Sequence, residues 1–371
     1  DAVEIMAGGG YLMLTSLLTI SLILDDQYGG DLKGRARFLN EVIAAIRAEV
    51  GNDFPLICKI CRDAKFPIAF EETMGLLSML EQRIDAVSII PGWDDKSMEQ
   101  MLMEGRKWIF SYLSEEIKEL CRIPVITGFG VNRIHDAEDI LRDEMADFVA
   151  MARALIAEPE LVDKAKKGLW DDIIPCISCN QGCVGGMLSY TPIACSVNAT
   201  VGREGEVLKP ATEPKRVLVI GGGPAGMETA RVAALRGNDV TLYEKEDSLG
   251  GQVKLAAAPV HKREIANVTQ YLSRQLQKLK VKVVLSTEAD ANLAQELMPD
   301  VIIIATGAVP TLPSIPGIER SQVVDFFHIL SGKVEAGERV VIMGGGGNGT
   351  EVARFLAERR KRPNVTIVER A

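Results

Sequence analysis

Along residues 1–170, short apolar runs alternate with longer stretches whose apolar side chains recur every three or four positions. The runs AVEIM, PLICKIC, DAVSII, PVITGFG and DFVAMA are too short for helices and rich in β-branched residues, so they read as strands. GRARFLNEVIAAIRAEVG and AEDILRDE, which lie between them, carry the helical period. Strands separated by helices predict parallel β/α units. Their number predicts the later part of a (β/α)8 barrel, strands 4–8, with about three units missing upstream. A doubly wound sheet is the alternative that strand count leaves open. The chain starts at Asp1 inside one apparent strand and stops at Ala371 after another, NVTIVER. Both ends read as cut, so the chain is expected to be a fragment.

A polar connector rich in Gly, Pro and charge, VGREGEVLKPATEPKR, separates this region from a second α/β pattern that begins at Arg216. A third pattern resembling the second begins near Arg339 and is the internal repeat of the chain. The expected divisions are 1–170, a cysteine segment at 171–200, a linker at 201–215, a dinucleotide domain at 216–335, and the start of another at 336–371.

Composition narrows the function classes. The net charge of -9 argues against nucleic acid or an anionic membrane as a main partner. The longest apolar run, residues 11–24, falls short of the roughly 20 residues of a membrane span and contains Thr and Ser. It also lacks the flanks of a signal peptide. Seven cysteines, four of them in one segment, make a poor secreted framework, which predicts a reducing, cytoplasmic location.

RVLVIGGGPAGMETARVAALRGNDVTLYEK is a strand, a Gly-x-Gly-x-x-Gly turn at Gly221, Gly223 and Gly226, a helix, and a second strand ending in Glu244. The first glycine makes a tight turn, the second admits a pyrophosphate, and the third packs helix on strand, while the acid takes a ribose hydroxyl. RVVIMGGGGNGTEVARFLAERRKRPNVTIVER repeats the device with Gly344, Gly346, Gly349 and Glu369. Glu369 would repel a 2′-phosphate, favouring NADH, although the adjacent Arg370 keeps NADPH open. With DVIIIATGAVP between them, the two loops resemble the FAD- and NAD-binding domains of pyridine nucleotide–disulfide oxidoreductases. That resemblance also places Gln252, in GGQ, near the FAD.

Cys176, Cys179, Cys183 and Cys195 follow C-x2-C-x3-C-x11-C. Four thiolates from one short segment suit zinc or an iron–sulfur cluster, and three bunched ligands with one distant favour [4Fe–4S]. An unligated redox pair is the third reading. Cys58 and Cys61 are also spaced C-x2-C, but within a strand they point to opposite faces and read as buried thiols. The three histidines, His135, His261 and His328, read as structural or solvent-facing, which leaves no Ser–His–Asp hydrolase.

Taken together, VEIMAGGGYL, DDQYGGDLKGRARF, MARALIAEPEL, the cysteine segment and both glycine loops resemble the iron–sulfur flavoenzymes related to Old Yellow Enzyme. That family includes 2,4-dienoyl-CoA reductase, 2-enoate reductase, the bile-acid Δ4-oxidoreductases and trimethylamine dehydrogenase. The resemblance implies an FMN-bearing barrel, a [4Fe–4S] cluster and an FAD/NAD(P)H unit. It assigns Arg133 and Arg153 to the FMN phosphate, Lys59 to the flavin N1/O2 edge in place of the usual Arg, and Tyr11 to substrate protonation. The resemblance further implies reduction, or in reverse desaturation, of an activated C=C bond in a small molecule, with a CoA thioester as one candidate. Met6 and Gly9 stand where many members carry a His and a His or Asn that grip an enone carbonyl. Asp94 replaces a histidine after Gly-Trp and is the candidate partner acid, and residues 13–24 lack an expected Asn and Arg and are a residue short. Within the family the alternative is an amine dehydrogenase of the trimethylamine type, against which the NADH loop counts, and the departures at Met6, Gly9, Lys59 and 13–24 permit a decayed electron-transfer protein. A fragment without three barrel strands is expected to be inactive by itself.

Overall fold

The computed structural model of the chain describes residues 2–8, 26–61, 70–91, 110–359 and 362–369. Tyr11, Asp94, Gly9, Arg370 and the segment 13–24 lie outside the described residues. The chain divides into two compact units, one of residues 1–168 and 178–202, the other of residues 169–177 and 203–371.

In the first unit the apolar runs form β1 (Val3–Met6), β2 (Leu56–Cys61), β3 (Ala86–Ile90), β4 (Val125–Thr127) and β5 (Phe148–Val149), all parallel, in the order β1-β2-β3-β4-β5. Each strand lies beside its predecessor in sequence, with no reversal of order. Doubly wound sheets reverse at a switch point, and barrels do not. The run DFVAMA yields only two paired residues, because Ala152 already opens the helix Ala152–Ala157.

Alternation along β2 sends Leu56, Cys58 and Ile60 into an apolar layer with Leu39 and Ile43 of the Arg37–Val50 helix and Leu76, Leu77 and Leu80 of the Phe70–Leu80 helix. Burying each such Leu or Ile stabilises the unit by about 1.5–3 kcal/mol. Cys58 and Cys61 lie on opposite faces of β2, both buried. Burial pushes the Cys58 thiol up to about 12, with Glu4 adding to the effect.

The starts of the strands are tied by a repeated device. Asp85, immediately before β3, accepts from the N–H of Leu56, the first residue of β2, at 2.7 Å. Asp147, immediately before β5, accepts from Val125 N–H, the first of β4, at 2.8 Å. The second unit uses it again: Asp300 accepts from Arg216 N–H at 2.7 Å.

In that second unit β6 (Arg216–Ile220), β7 (Asp239–Tyr243), β8 (Lys282–Val284) and β9 (Val301–Ile304) form a parallel sheet in the order β8-β7-β6-β9. The order reverses at β6, and doubly wound sheets bind ligands at the carboxyl ends of strands at such a switch point. A further parallel pair, β10 (Arg339–Met343) and β11 (Asn364–Val368), flanks the Gly347–Ala357 helix. His261 is buried between Glu351 and Glu358 of that last helical region, with Nε2 3.4 Å from Glu351 and Nδ1 3.5 Å from Glu358. His135 and His328 are exposed.

Among the described residues, no helix is long and apolar enough to cross a membrane.

Candidate cofactor sites

The first glycine loop starts where β6 ends, at the sheet's switch point. Gly221 has φ +110, and a Cβ there would lie 2.3 Å from the Ala305 carbonyl oxygen, so the loop presses directly on the turn after β9. A Cβ on Gly226 would lie 1.9 Å from the Gly221 carbonyl, which fixes how closely the Pro224–Leu235 helix sits on the turn. Around Gly223, by contrast, a Cβ would meet nothing within 4 Å. The loop is therefore tight on its inner side and open at its middle glycine, which is the cradle a pyrophosphate requires.

Glu244, 7% exposed at the end of β7, accepts from Gly222 N–H at 2.6 Å and from Glu246 N–H at 2.9 Å. Its carboxylate is thus held at the mouth of the loop. Two further segments converge here. Gly250 N–H donates to the Gly222 carbonyl at 2.9 Å, and Gln252 Nε2 donates to the Ala308 carbonyl at 2.7 Å.

The second loop repeats this construction. A Cβ on Gly349 would lie 1.8 Å from the Gly344 carbonyl, and one on Gly346 would meet nothing within 4 Å. Glu369 accepts from Gly345 N–H, as Glu244 does from Gly222. One chemical device therefore occurs twice, and the donors of both copies fit an adenine dinucleotide.

In the first unit the carboxyl ends of the parallel strands carry the other candidates. Lys59, near the end of β2, places Nζ 2.5 Å from Glu4 Oε2 on β1. The register pairs Met6 with Lys59, so Glu4 is the diagonal neighbour on the same face. Arg133 follows β4, exposed, at the N-cap of the Ile134–Arg142 helix. Arg153, half-buried, follows β5 and donates from Nη1 to Asn180 Oδ1 at 2.8 Å. Two guanidinium groups after the last two strands are a donor set suited to a phosphate.

The cysteine segment, expected as one piece over 171–200, is shared between the units. Asp171 and Asp172 pair with Arg274 and Lys278 of the Ala266–Lys278 helix, which draws residues 169–177 into the second unit. From Ser178 onward the segment packs with the first unit. There Ser178 Oγ accepts from Asn132 Nδ2 at 2.6 Å. A Cβ on Gly182 would lie 2.4 Å from the Ala194 carbonyl and 3.1 Å from Cys195 N, so the backbones next to Cys183 and Cys195 touch. Cys179 Sγ lies 3.3 Å from Ser196 Oγ. All seven cysteines are outside disulfides. Four thiols are the right donors for a soft metal or cluster. Among the described residues, however, no three His, Cys, Asp or Glu side chains are already gathered as a metal site.

Ser178, Asn180, Asn132 and Glu4 were not singled out from the sequence. Their residue types are common and their partners lie 27 to 55 positions away. Asn180 between two cysteines carries the one local signal, since Asn favours left-handed turns.

Residues 1–172 match the NADH:flavin oxidoreductase / NADH oxidase family, and residues 208–371 match the pyridine nucleotide-disulphide oxidoreductases. The chain joins an NADH:flavin oxidoreductase domain to a pyridine nucleotide-disulphide oxidoreductase domain. The first unit is accordingly a barrel domain, the doubly wound alternative falls, and FMN belongs to the first unit and FAD with a nicotinamide dinucleotide to the second. The chain is 39% identical over 375 residues to a metal reductase of Desulforamulus reducens, covering 99% of this chain and 56% of the relative. It is 39% identical over 381 residues to an NADH oxidase of Thermoanaerobacter brockii, covering 100% of this chain and 58% of the relative. The chain thus spans somewhat more than half the length of these relatives. A solved 2-naphthoyl-CoA reductase in complex with 2-naphthoyl-CoA superposes with a TM-score of 0.93 at 36% identity, over 99% of this chain and 56% of that one.

Proposed function

We propose that the protein is an NAD(P)H-dependent flavin and iron–sulfur oxidoreductase that reduces an activated C=C bond, with enoyl- or dienoyl-CoA thioesters as the substrate class. The observation that carries this reading is the doubled glycine loop, tight at Gly226 and Gly349 and open at Gly223 and Gly346, in a chain whose other unit is a flavin-oxidoreductase barrel. Two adjoining dinucleotide cradles fit a flavin and its nicotinamide donor. The likeness to a 2-naphthoyl-CoA reductase supports an acyl-CoA.

When bound, the nicotinamide, the two flavins and a [4Fe–4S] cluster supply the electrons that such a reduction consumes. The chain's own residues bind and orient. Glu244 and Glu369 take ribose hydroxyls, Gln252 flanks the FAD, and Glu369 favours NADH. Arg133 and Arg153 hold the FMN phosphate, and Lys59 sets positive charge beside the flavin N1/O2 edge. Cys176, Cys179, Cys183 and Cys195 hold the cluster. Tyr11 gives the proton that the enolate of the reduced substrate needs, with Asp94 as its partner acid. The cysteine usage supports a cytoplasmic location for this chemistry.

The test is anaerobic addition of NADH to the full polypeptide, followed by turnover of an enoyl-CoA panel against tertiary amines. Bleaching of both flavin and cluster absorbance, with turnover of the thioesters, is the expected result. Flavin and cluster that stay oxidised refute the reading, and turnover of amines alone replaces it with an amine dehydrogenase. Iron and acid-labile sulfide analysis decides between a cluster and zinc, and serine at any one of the four cysteines is expected to lower bound iron severalfold.

A further inference from the structure

Cys179 is flanked by Ser178 and Asn180, and both neighbours have left-handed backbone, at φ +54 and +57. Non-glycine residues adopt that conformation rarely, and when they do the surroundings enforce it. Both residues are buried, 7% and 9% exposed. Each side chain is fastened to a different loop of the barrel. Ser178 Oγ accepts from Asn132, the neighbour of Arg133 in the loop after β4, and Asn180 Oδ1 accepts from Arg153 itself, after β5. The Asn180 carbonyl meanwhile accepts from Gly185 N–H at 2.7 Å, at the start of the Val184–Leu188 turn of helix. One residue thus holds an arginine of the flavin domain with its side chain and the cysteine loop with its backbone.

The chemistry of that contact is specific. A guanidinium is a planar fork of five donors, and an acceptor placed on one Nη fixes the plane and leaves the fork's direction determined. The acceptor is an amide carbonyl and not a carboxylate. Asn180 itself therefore adds no negative charge beside Arg153.

We propose that Asn180 is a positioning residue that aims Arg153 at the flavin phosphate, and thereby couples FMN binding in the barrel to the cysteine loop around Cys179. The inference rests on the flavin reading above. Because coupling between two sites is reciprocal, the loop gains order from bound FMN and the FMN site gains affinity from an ordered loop.

The discriminating ligand pair is FMN against riboflavin, which lacks the phosphate. The variant is Asn180→Gly, since glycine keeps the left-handed backbone and removes the side chain alone. Flavin-depleted full polypeptide is titrated with each ligand by fluorescence quenching. The expected result is a roughly ten- to hundredfold loss of FMN affinity, the range for a hydrogen bond to a charged group, with riboflavin affinity unchanged. Asn180→Asp keeps the acceptor but neutralises the arginine, and is expected to weaken FMN and spare riboflavin as well. A second readout is iron removal by a chelator: FMN should slow it severalfold in the parent protein and not in Asn180→Gly. Equal losses for FMN and riboflavin, or an unchanged FMN affinity, overturn the proposal while leaving the flavin reading intact. A parent protein that binds neither ligand overturns both.

Discussion

At Gly226 and Gly223 the same substitution should act on different quantities. A methyl group at Gly226 would collide with the Gly221 carbonyl, which belongs to a backbone pinned from behind by Ala305. Gly226→Ala is therefore expected to destabilise the second unit by about 1–3 kcal/mol through overpacking, visible as a lowered melting temperature without any cofactor. The methyl group of Gly223→Ala enters open space, so the cofactor-free protein should melt within about 0.5 kcal/mol of the parent. Its FAD affinity should fall at least tenfold, measured by flavin retention on desalting, because the methyl group occupies the pyrophosphate's approach. If the two variants lose stability equally, the reading of Gly223 as the open side of the cradle is wrong. Cys58 offers a second test at this scale. A thiol pushed up to about 12 and packed against helices is expected to resist iodoacetamide at pH 8 in the metal-free folded protein, while the half-buried Cys179, Cys183 and Cys195 react. Peptide mapping by mass spectrometry reads this directly.

At the scale of elements, three aspartates tie the starts of strands, and each of their carboxyls is held below the usual range. The Val125 N–H holds the Asp147 carboxyl below the usual range, with Lys118 adding to it against burial. For Asp85, burial alone would push the carboxyl up, but hydrogen bonds from Arg47 and Leu56 outweigh it. The Arg216 N–H is the main cause for Asp300, again downward. A carboxyl lowered in the folded state adds stability above its unfolded pKa of about 3.9, and loses it as pH falls through the folded value. Stability is therefore expected to drop as pH goes below about 4, and Asp-to-Asn changes at 85, 147 and 300 together should flatten that slope in urea titrations. Asp147→Ala, which removes the acceptor, is expected to destabilise by about 1 kcal/mol at neutral pH. These ties also show where sequence pattern stops. The apolar runs PLICKIC and DAVSII announce strands, because run length and residue type are local properties. That Asp85 caps the neighbouring strand 29 positions away depends on which strands lie side by side, and common residues such as Asp carry no mark of it.

Taken whole, the molecule sets a flavin-oxidoreductase barrel domain before a unit in which one nucleotide device is used twice. Glycine spacing made both tight turns legible, because the close approaches at Gly226 and Gly349 require glycine. The fastening of the cysteine segment was not legible: its assignment to two units follows from Asp171 and Asp172 on one side and Ser178 and Asn180 on the other. Nicotinamide choice by the proposed enzyme tests the second cradle. Glu369→Ala is expected to raise the ratio of kcat/KM for NADPH over NADH by about tenfold, the effect of removing one repulsive charge near a 2′-phosphate. An unchanged ratio would assign the preference to other residues.

The aspartate ties have a practical consequence for engineering. They sit at the amino ends of the strands, whereas the glycine loops, Arg133 and Arg153 sit at the carboxyl ends. Along β1, β2 and β6, strands of four to six residues, the two edges lie roughly 13–20 Å apart. Substitutions that far apart without shared partners combine additively to within about 0.5 kcal/mol. Tolerance to acid and heat can therefore be tuned at Asp300 while cofactor affinity is redesigned at the glycine loop beyond the far end of β6.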